Sequence, residues 1–155
     1  MRSQPFDMSK ATPPQTPEAT PARRSASGPY GVLVIDDEAL ICNLVSDTLA
    51  ARGYTVWQAL SAKRALELIN AQGPKIGLIL LDVVMPGTDG LTFLGTLRRL
   101  PLAAQIVLVS GRLDADTQWL AGESGCRYLC KPFERDDLTR LVQELIGPPA
   151  AVPKA

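Results

Sequence analysis

Five short apolar runs alternate with helical stripes along this chain, and that alternation leaves few folds open. The runs are Val32 to Ile35, Thr55 to Ala59, Leu78 to Leu81, Ile106 to Val109 and Cys126 to Cys130. Each has the length of a strand and is too short for a helix. The first, third and fourth are unbroken apolar stretches, the pattern of strands buried on both faces. Between them the period changes. Leu40, Ile41, Leu44, Val45, Thr48 and Leu49 recur at steps of one and three or four, which puts them on one helix face. Gly53 is the expected stop of that helix. Ser61 is placed to cap the next one, whose buried side is expected to be Ala62, Ala65, Leu66 and Ile69, with Gly73-Pro74 ending it. A third helix carries Leu91, Phe93, Leu94 and Leu97, and Pro101 lies beyond its end. A weaker fourth holds Trp119 and Leu120. The last has Leu138, Leu141, Val142, Leu145 and Ile146 on one side and stops at Gly147-Pro148-Pro149.

Strands that alternate with helices predict an α/β fold, a parallel sheet covered by helices on both faces. The strands also sort by polarity. The second (TVWQA) and the fifth (CRYLC) carry polar residues, as edge strands can. An order of 2-1-3-4-5 places those two outside, which is the flavodoxin-like, doubly wound five-stranded arrangement. Proline marks the limits of the domain. Of the 13 prolines, six fall in residues 1–29 and three in the last eight residues. Residues 1–29, rich in Pro, Ser, Thr and Ala, are expected to be a disordered tail, residues 30–147 the domain, and residues 148–155 a second tail. Those eight residues are too few for a helix-turn-helix, so DNA binding is not expected.

Composition removes several function classes. Lys+Arg and Asp+Glu both number 16, so no net charge draws the chain to nucleic acid or an anionic membrane. Histidine is absent, which excludes His metal sites, Ser-His and Cys-His nucleophile pairs, and a histidine phosphoryl carrier within the chain. Cys42, Cys126 and Cys130 form no CxxC pair and read as free thiols in a reducing compartment. No apolar run reaches the roughly 18 residues of a membrane helix. The N-terminus has no apolar leader segment, so a cytoplasmic location is expected.

Chemistry gathers where the strands end. In a sheet wound this way, ligands bind outside the carboxyl ends of the strands. Asp36 and Asp37 follow the first strand, Asp82 the third, Ser110 the fourth and Lys131 the fifth. After Asp82 the chain is expected to turn through Pro86, Gly87, Asp89 and Gly90. Each residue alone has an ordinary reading, as a helix cap, a turn former or a solvated lysine. Those readings do not explain one shared rim. Two like charges ~4 Å apart repel by about 4 kcal/mol at an effective dielectric of 20, so crowded acids need a proton or a cation. An all-oxygen site open to water suits Mg²⁺. A metal, a free carboxylate, a hydroxyl and an ammonium together make a phosphoryl-transfer site. Asp82 would be the nucleophile, Ser110 a hydrogen-bond donor and Lys131 a neutralising charge.

With its motifs VLVIDDE, LILLDVVMPGTDG, VLVSG and YLCKPF in that order, the chain resembles the receiver domain of bacterial two-component response regulators over about residues 31–147. The resemblance implies that Asp82 is the phosphoacceptor. It implies Mg²⁺ bound by Asp37 directly, by Asp36 mainly through water, by Asp82 and by the backbone carbonyl of Val84. It makes Ser110 the switch hydroxyl, Lys131 the phosphate-pairing lysine and Tyr128 the aromatic that changes rotamer, and it implies a cis Lys131-Pro132 bond. The implied donor is a sensor histidine kinase or a histidine phosphotransfer protein. The implied output is a changed contact with a downstream protein or a second copy, through the surface of the fourth helix, fifth strand and last helix. The expected chemistry stops at Mg²⁺-dependent self-phosphorylation from a phosphodonor and self-dephosphorylation, so an enzyme with a separate substrate is not expected. Val84 beside the acceptor and Arg112 at the mouth are not water-activating groups, which predicts loss of the phosphate over hours. A phosphorelay intermediate or phosphate sink would share this chemistry. An Asp-nucleophile phosphatase is disfavoured because DDEAL after the first strand lacks the DxDx[TV] pattern, and a flavin module because Asp36-Asp37-Glu38 would repel phosphate.

Overall fold

All seven residues of β3, Ile76–Asp82, are buried, and the other elements are placed around that strand. A computed structural model of the chain describes residues 30–85, 87–111, 122–123 and 125–149. β1 (Gly31–Ile35) pairs in parallel with one side of β3, and β6 (Gln105–Ser110) with the other. β2 (Val56–Ala59) flanks β1, and β7 (Arg127–Cys130) flanks β6, again in parallel. Two further strands of two residues each, β4 (Val84–Met85) and β5 (Thr88–Asp89), form a small antiparallel pair beyond the end of β3. The sheet order is β2-β1-β3-β6-β7. Setting the two-residue pair aside, this is the order 2-1-3-4-5 that strand polarity implies.

The period of two along the strands divides the core in half. Leu33, Ile35, Ile79 and Leu81 face α2 (Ala62–Gln72) and α3 (Gly90–Arg98), where they meet Ala65, Leu68, Ile69, Phe93, Leu94 and Leu97. Val32, Val34, Leu78 and Leu80 face the opposite way, toward α1 (Ala39–Ala50) and α4 (Arg135–Ile146), and pack on Cys42, Val45, Leu49, Leu138, Leu141 and Val142. Full burial of one such aliphatic side chain is worth about 1.5–3 kcal/mol, so these two layers are the main source of stability.

Local signals set the helix ends. The Ser61 hydroxyl accepts from the Arg64 amide at 3.1 Å, the cap expected there. Glu134 and Asp137 form a reciprocal capping box at the start of α4. Gly53, just past α1, has φ +100°, a conformation that favours glycine.

The helical stripes differ from expectation at two positions. Leu66, expected on the buried side of α2, is 38% exposed, and Leu68 is buried in its place. The buried set Ala65, Leu68 and Ile69 follows the spacing of three and four, and Leu66 stands about 100° from Ala65 around the helix. Leu40, expected on the buried face of α1, is 81% exposed because it stands on the side of the helix opposite the buried Cys42, Val45 and Leu49. The chain turns back after Asp82 as expected, with the short β4–β5 pair flanking the turn and Asp89 in β5. Trp119 and Leu120 of the expected fourth helix, Arg112, Pro86, residues 1–29 and residues 150–155 lie outside the described residues. Among the described residues, no helix is long and apolar enough to cross a membrane.

Candidate functional site

Each strand that ends at the rim delivers one side chain, and backbone hydrogen bonds fix where it points. The Asp36 amide donates to the Ala59 carbonyl at 3.0 Å, which extends the β1–β2 ladder by one residue. The Asp36 Oδ1 atom then accepts from the Glu38 amide at 2.9 Å, closing a tight turn into α1. Asp82 ends β3, and its Oδ1 accepts from the Val84 amide at 3.1 Å. Ser110 ends β6, and its carbonyl accepts from the Lys131 amide at 2.8 Å. That bond carries the β6–β7 ladder one step past β7 and brings Lys131 over the sheet end. The Lys131-Pro132 bond is cis, as the family resemblance implies. Gly90 lets the β4–β5 turn fold back tightly. A Cβ on it would sit 2.5 Å from the Val83 carbonyl oxygen, so a larger residue would push the turn away from Asp82.

The result is one charge cluster. The Lys131 ammonium lies 2.8 Å from Asp36 Oδ2, 3.0 Å from Glu38 Oε1 and 3.5 Å from Asp82 Oδ2. Carboxylate oxygens of Asp36, Asp37 and Asp82 lie within 4.8 Å of one another. Asp36, Asp82 and Ser110 are almost fully buried, whereas Asp37 and Glu38 face solvent. Four carboxylates against one ammonium give a formal charge of −3. Burial, and then the neighbouring Asp36 charge, push the Asp82 carboxyl up to about 6, against the pull of the Val84 amide and of Lys131. Burial alone would lower the lysine, but hydrogen bonds to Asp36 and Glu38 and the charge of Asp82 outweigh it and hold Lys131 above the usual lysine range. Beneath the cluster, Cys42 Sγ donates to the Asp36 carbonyl at 3.3 Å, and burial together with the Asp36 charge pushes this thiol up to about 11.

These residues suit a hard divalent cation. The donors are all oxygen, one acid is solvent-facing and two are buried, and a single ammonium leaves the acids under-compensated. Asp36, Asp37 and Asp82 could hold Mg²⁺, with the Val84 carbonyl as the expected backbone ligand.

The structure thus gathers Asp36, Asp37, Asp82 and Lys131 in one cluster and places Ser110, buried, on the neighbouring strand end. Val84, two residues past Asp82, is 55% exposed. Tyr128 stands apart. It lies on β7, pairs with Leu108, and is 38% exposed. Sequence reasoning missed Glu38 as a partner of Lys131, treating it only as a charge that repels phosphate. The available signal was its position, third in an acidic run at the mouth of the same rim.

The chain matches the response regulator receiver domain family over residues 32–143, and it belongs to that family. It is 32% identical over 156 residues to the alkaline phosphatase synthesis transcriptional regulatory protein SphR of Synechococcus elongatus, covering 94% of this chain and 58% of that one. It is 27% identical to the chemotaxis protein CheY of Treponema pallidum, covering 90% of this chain and 99% of that one. Among solved structures, the receiver domain of the Francisella response regulator 1452 is 30% identical with a TM-score of 0.67, over 77% of this chain and 97% of that one. The chain spans between 13% and 58% of the length of the first of its curated relatives. Its fold and family are therefore those of a two-component signalling receiver.

Proposed function

We propose that Asp82 accepts a phosphoryl group from a sensor histidine kinase or a histidine phosphotransfer protein. The observation that carries this reading is the sharing of one ammonium, on Lys131, between two buried carboxylates, 2.8 Å from Asp36 and 3.5 Å from Asp82. A carboxylate oxygen of Asp82 attacks phosphorus and forms an acyl phosphate. The bond from phosphorus to the donor's imidazole nitrogen breaks with its electron pair staying on that nitrogen. The proton on the other ring nitrogen leaves the imidazole neutral. Lys131 turns from carboxylate oxygen to phosphoryl oxygen. Asp36, Asp37, Asp82 and the Val84 carbonyl would hold Mg²⁺, which would supply positive charge against the phosphoryl oxygens.

The rim also offers a surface for the donor. Of the five large hydrophobic side chains exposed among the described residues, Leu40, Leu60 and Val84 stand at the carboxyl end of the sheet. An apolar margin around a charged hollow suits a protein phosphodonor better than a small metabolite. Output uses the other side. The new charge draws the Ser110 hydroxyl toward the phosphoryl group, and Tyr128, half out in solvent on β7, turns inward. Arg127 on β7 and Glu144 on α4 bridge at 2.9 Å across that face, so strand and helix present one surface to a downstream protein or a second copy.

The test is phosphorylation by a small phosphodonor with Mg²⁺. The expected result is one phosphoryl group per chain on the native protein and none after Asp82→Asn. Uptake undiminished by Asp82→Asn would contradict the reading.

A further inference from the structure

Glu38 occupies the N-cap position of α1, yet its side chain makes no cap hydrogen bond. An acid at that position ordinarily turns back onto the first free amides of the helix. Here the carboxylate reaches away from the helix and meets Lys131 at 3.0 Å. Lys131 has three N–H donors, and the three carboxylates of Asp36, Glu38 and Asp82 surround them. A phosphoryl group on Asp82 brings three oxygens and additional negative charge to those donors in place of the carboxylate, so it competes with Asp36 and Glu38 for Lys131.

The partners are unequal. The Asp36 side chain is 2% exposed, and losing the ammonium would strand it as a buried charge, whereas phosphorylated Asp82 keeps the ammonium through its phosphoryl oxygens. The Glu38 side chain is 60% exposed, and its carboxylate can return to water at little cost. We infer that Glu38 is a displaceable anionic tether, which holds Lys131 at the rim until the phosphoryl group replaces it and thereby slows phosphoryl uptake. The inference rests on Asp82 being the acceptor. It makes Glu38 a positioning residue, since it acts through Lys131 and does not itself touch the reacting atoms.

The test uses the full chain and three variants, with acetyl phosphate and Mg²⁺ as the donor mixture and beryllofluoride as a non-reacting phosphoryl mimic. Glu38→Gln removes the charge. Glu38→Asp keeps it, but the shorter side chain gives up Lys131 and favours capping the helix. Both variants should take up the phosphoryl group about two- to fivefold faster than the native chain, the range of one exposed ion pair. Both should bind beryllofluoride with Mg²⁺ about two- to fivefold more tightly, measured by titration calorimetry. The thermal midpoint of Glu38→Gln should match the native one, because the native side chain caps nothing, and that of Glu38→Asp should equal or exceed it through the new cap. An acceleration seen with Glu38→Gln and not with Glu38→Asp would assign the effect to net charge and overturn the tether. Unchanged or slower uptake in both variants would overturn it as well. Asp82→Asn separates the two proposals. Uptake that survives Asp82→Asn, or a native chain that takes none, defeats the acceptor reading and the tether together. Asp82-dependent uptake that is indifferent to Glu38 defeats the tether alone.

Discussion

Leu78 to Leu81 and Asp82 are neighbours on one strand and are buried to nearly the same degree, between 0% and 4% exposed, yet burial does opposite things to them. The four aliphatic residues gain by leaving water. The acid loses, and its carboxyl is pushed up to about 6 because the ionised form is disfavoured there. The interior of β3 is satisfied by the protein alone. The tip is satisfied only in part, by one ammonium shared among several acids. A cation or a phosphoryl group therefore has a large differential effect at the tip and none in the interior, which is what a signalling site needs.

The sharpest way to break this contrast is to attack the satisfied end. Leu80→Ala should cost about 2–5 kcal/mol, read as a lower urea midpoint with an unchanged slope. A loss below about 1 kcal/mol would mean that the two core layers do not pack around this strand.

At the other end of the strand the sign should reverse. Asp82→Asn should raise the stability of the metal-free protein near pH 7.5, with a ceiling of about 3 kcal/mol set by the gap between an ordinary carboxyl and one near 6. The pH dependence follows from the same shift. A carboxyl held high in the fold keeps its proton longer than in the unfolded chain. Its contribution is full below about pH 4, is lost as pH rises through about 6, and is flat beyond. The native protein should therefore lose stability relative to Asp82→Asn across that window. Parallel profiles would show that Asp82 is not strained.

Mg²⁺ should relieve part of the same strain. At ten times its dissociation constant it should add about 1.4 kcal/mol to the native chain, and clearly less to Asp82→Asn, measured as a shift in the unfolding midpoint. Equal shifts would place the metal elsewhere.

Cys42 offers the smallest test. It is fully buried under Asp36, with its thiol pushed up to about 11, so it should be the last of the three cysteines to react with an alkylating reagent at pH 8. Early modification at Cys42 would mean that the floor of the site opens readily.

What could be read from the sequence divides along the same line. The interior was legible because local pattern decides it. Unbroken apolar runs identify the central strands as buried on both faces, and polar interruptions identify the edges. The rim was legible for residues that end a strand, because topology alone brings Asp36, Asp82, Ser110 and Lys131 to one edge. It was not legible for Glu38, whose partner lies 93 positions away and is met only through the reach of a long lysine. Leu40 and Leu66 were misplaced for a different reason. Both sit one or two positions from buried residues, and a stripe drawn through composition ignores the angle around the helix. The β4–β5 pair escaped although Pro86 and Gly87 read as a turn, because two-residue strands carry no periodic signal.

The most direct test of the central claim is to trap the acceptor chemically. The native chain, treated with a phosphodonor and Mg²⁺ and then with borohydride, should yield homoserine at position 82 and nowhere else, because the reagent reduces an acyl phosphate and spares a free carboxylate. Reduction at Asp36, Asp37 or any other acid, with Asp82 recovered intact, would contradict the account.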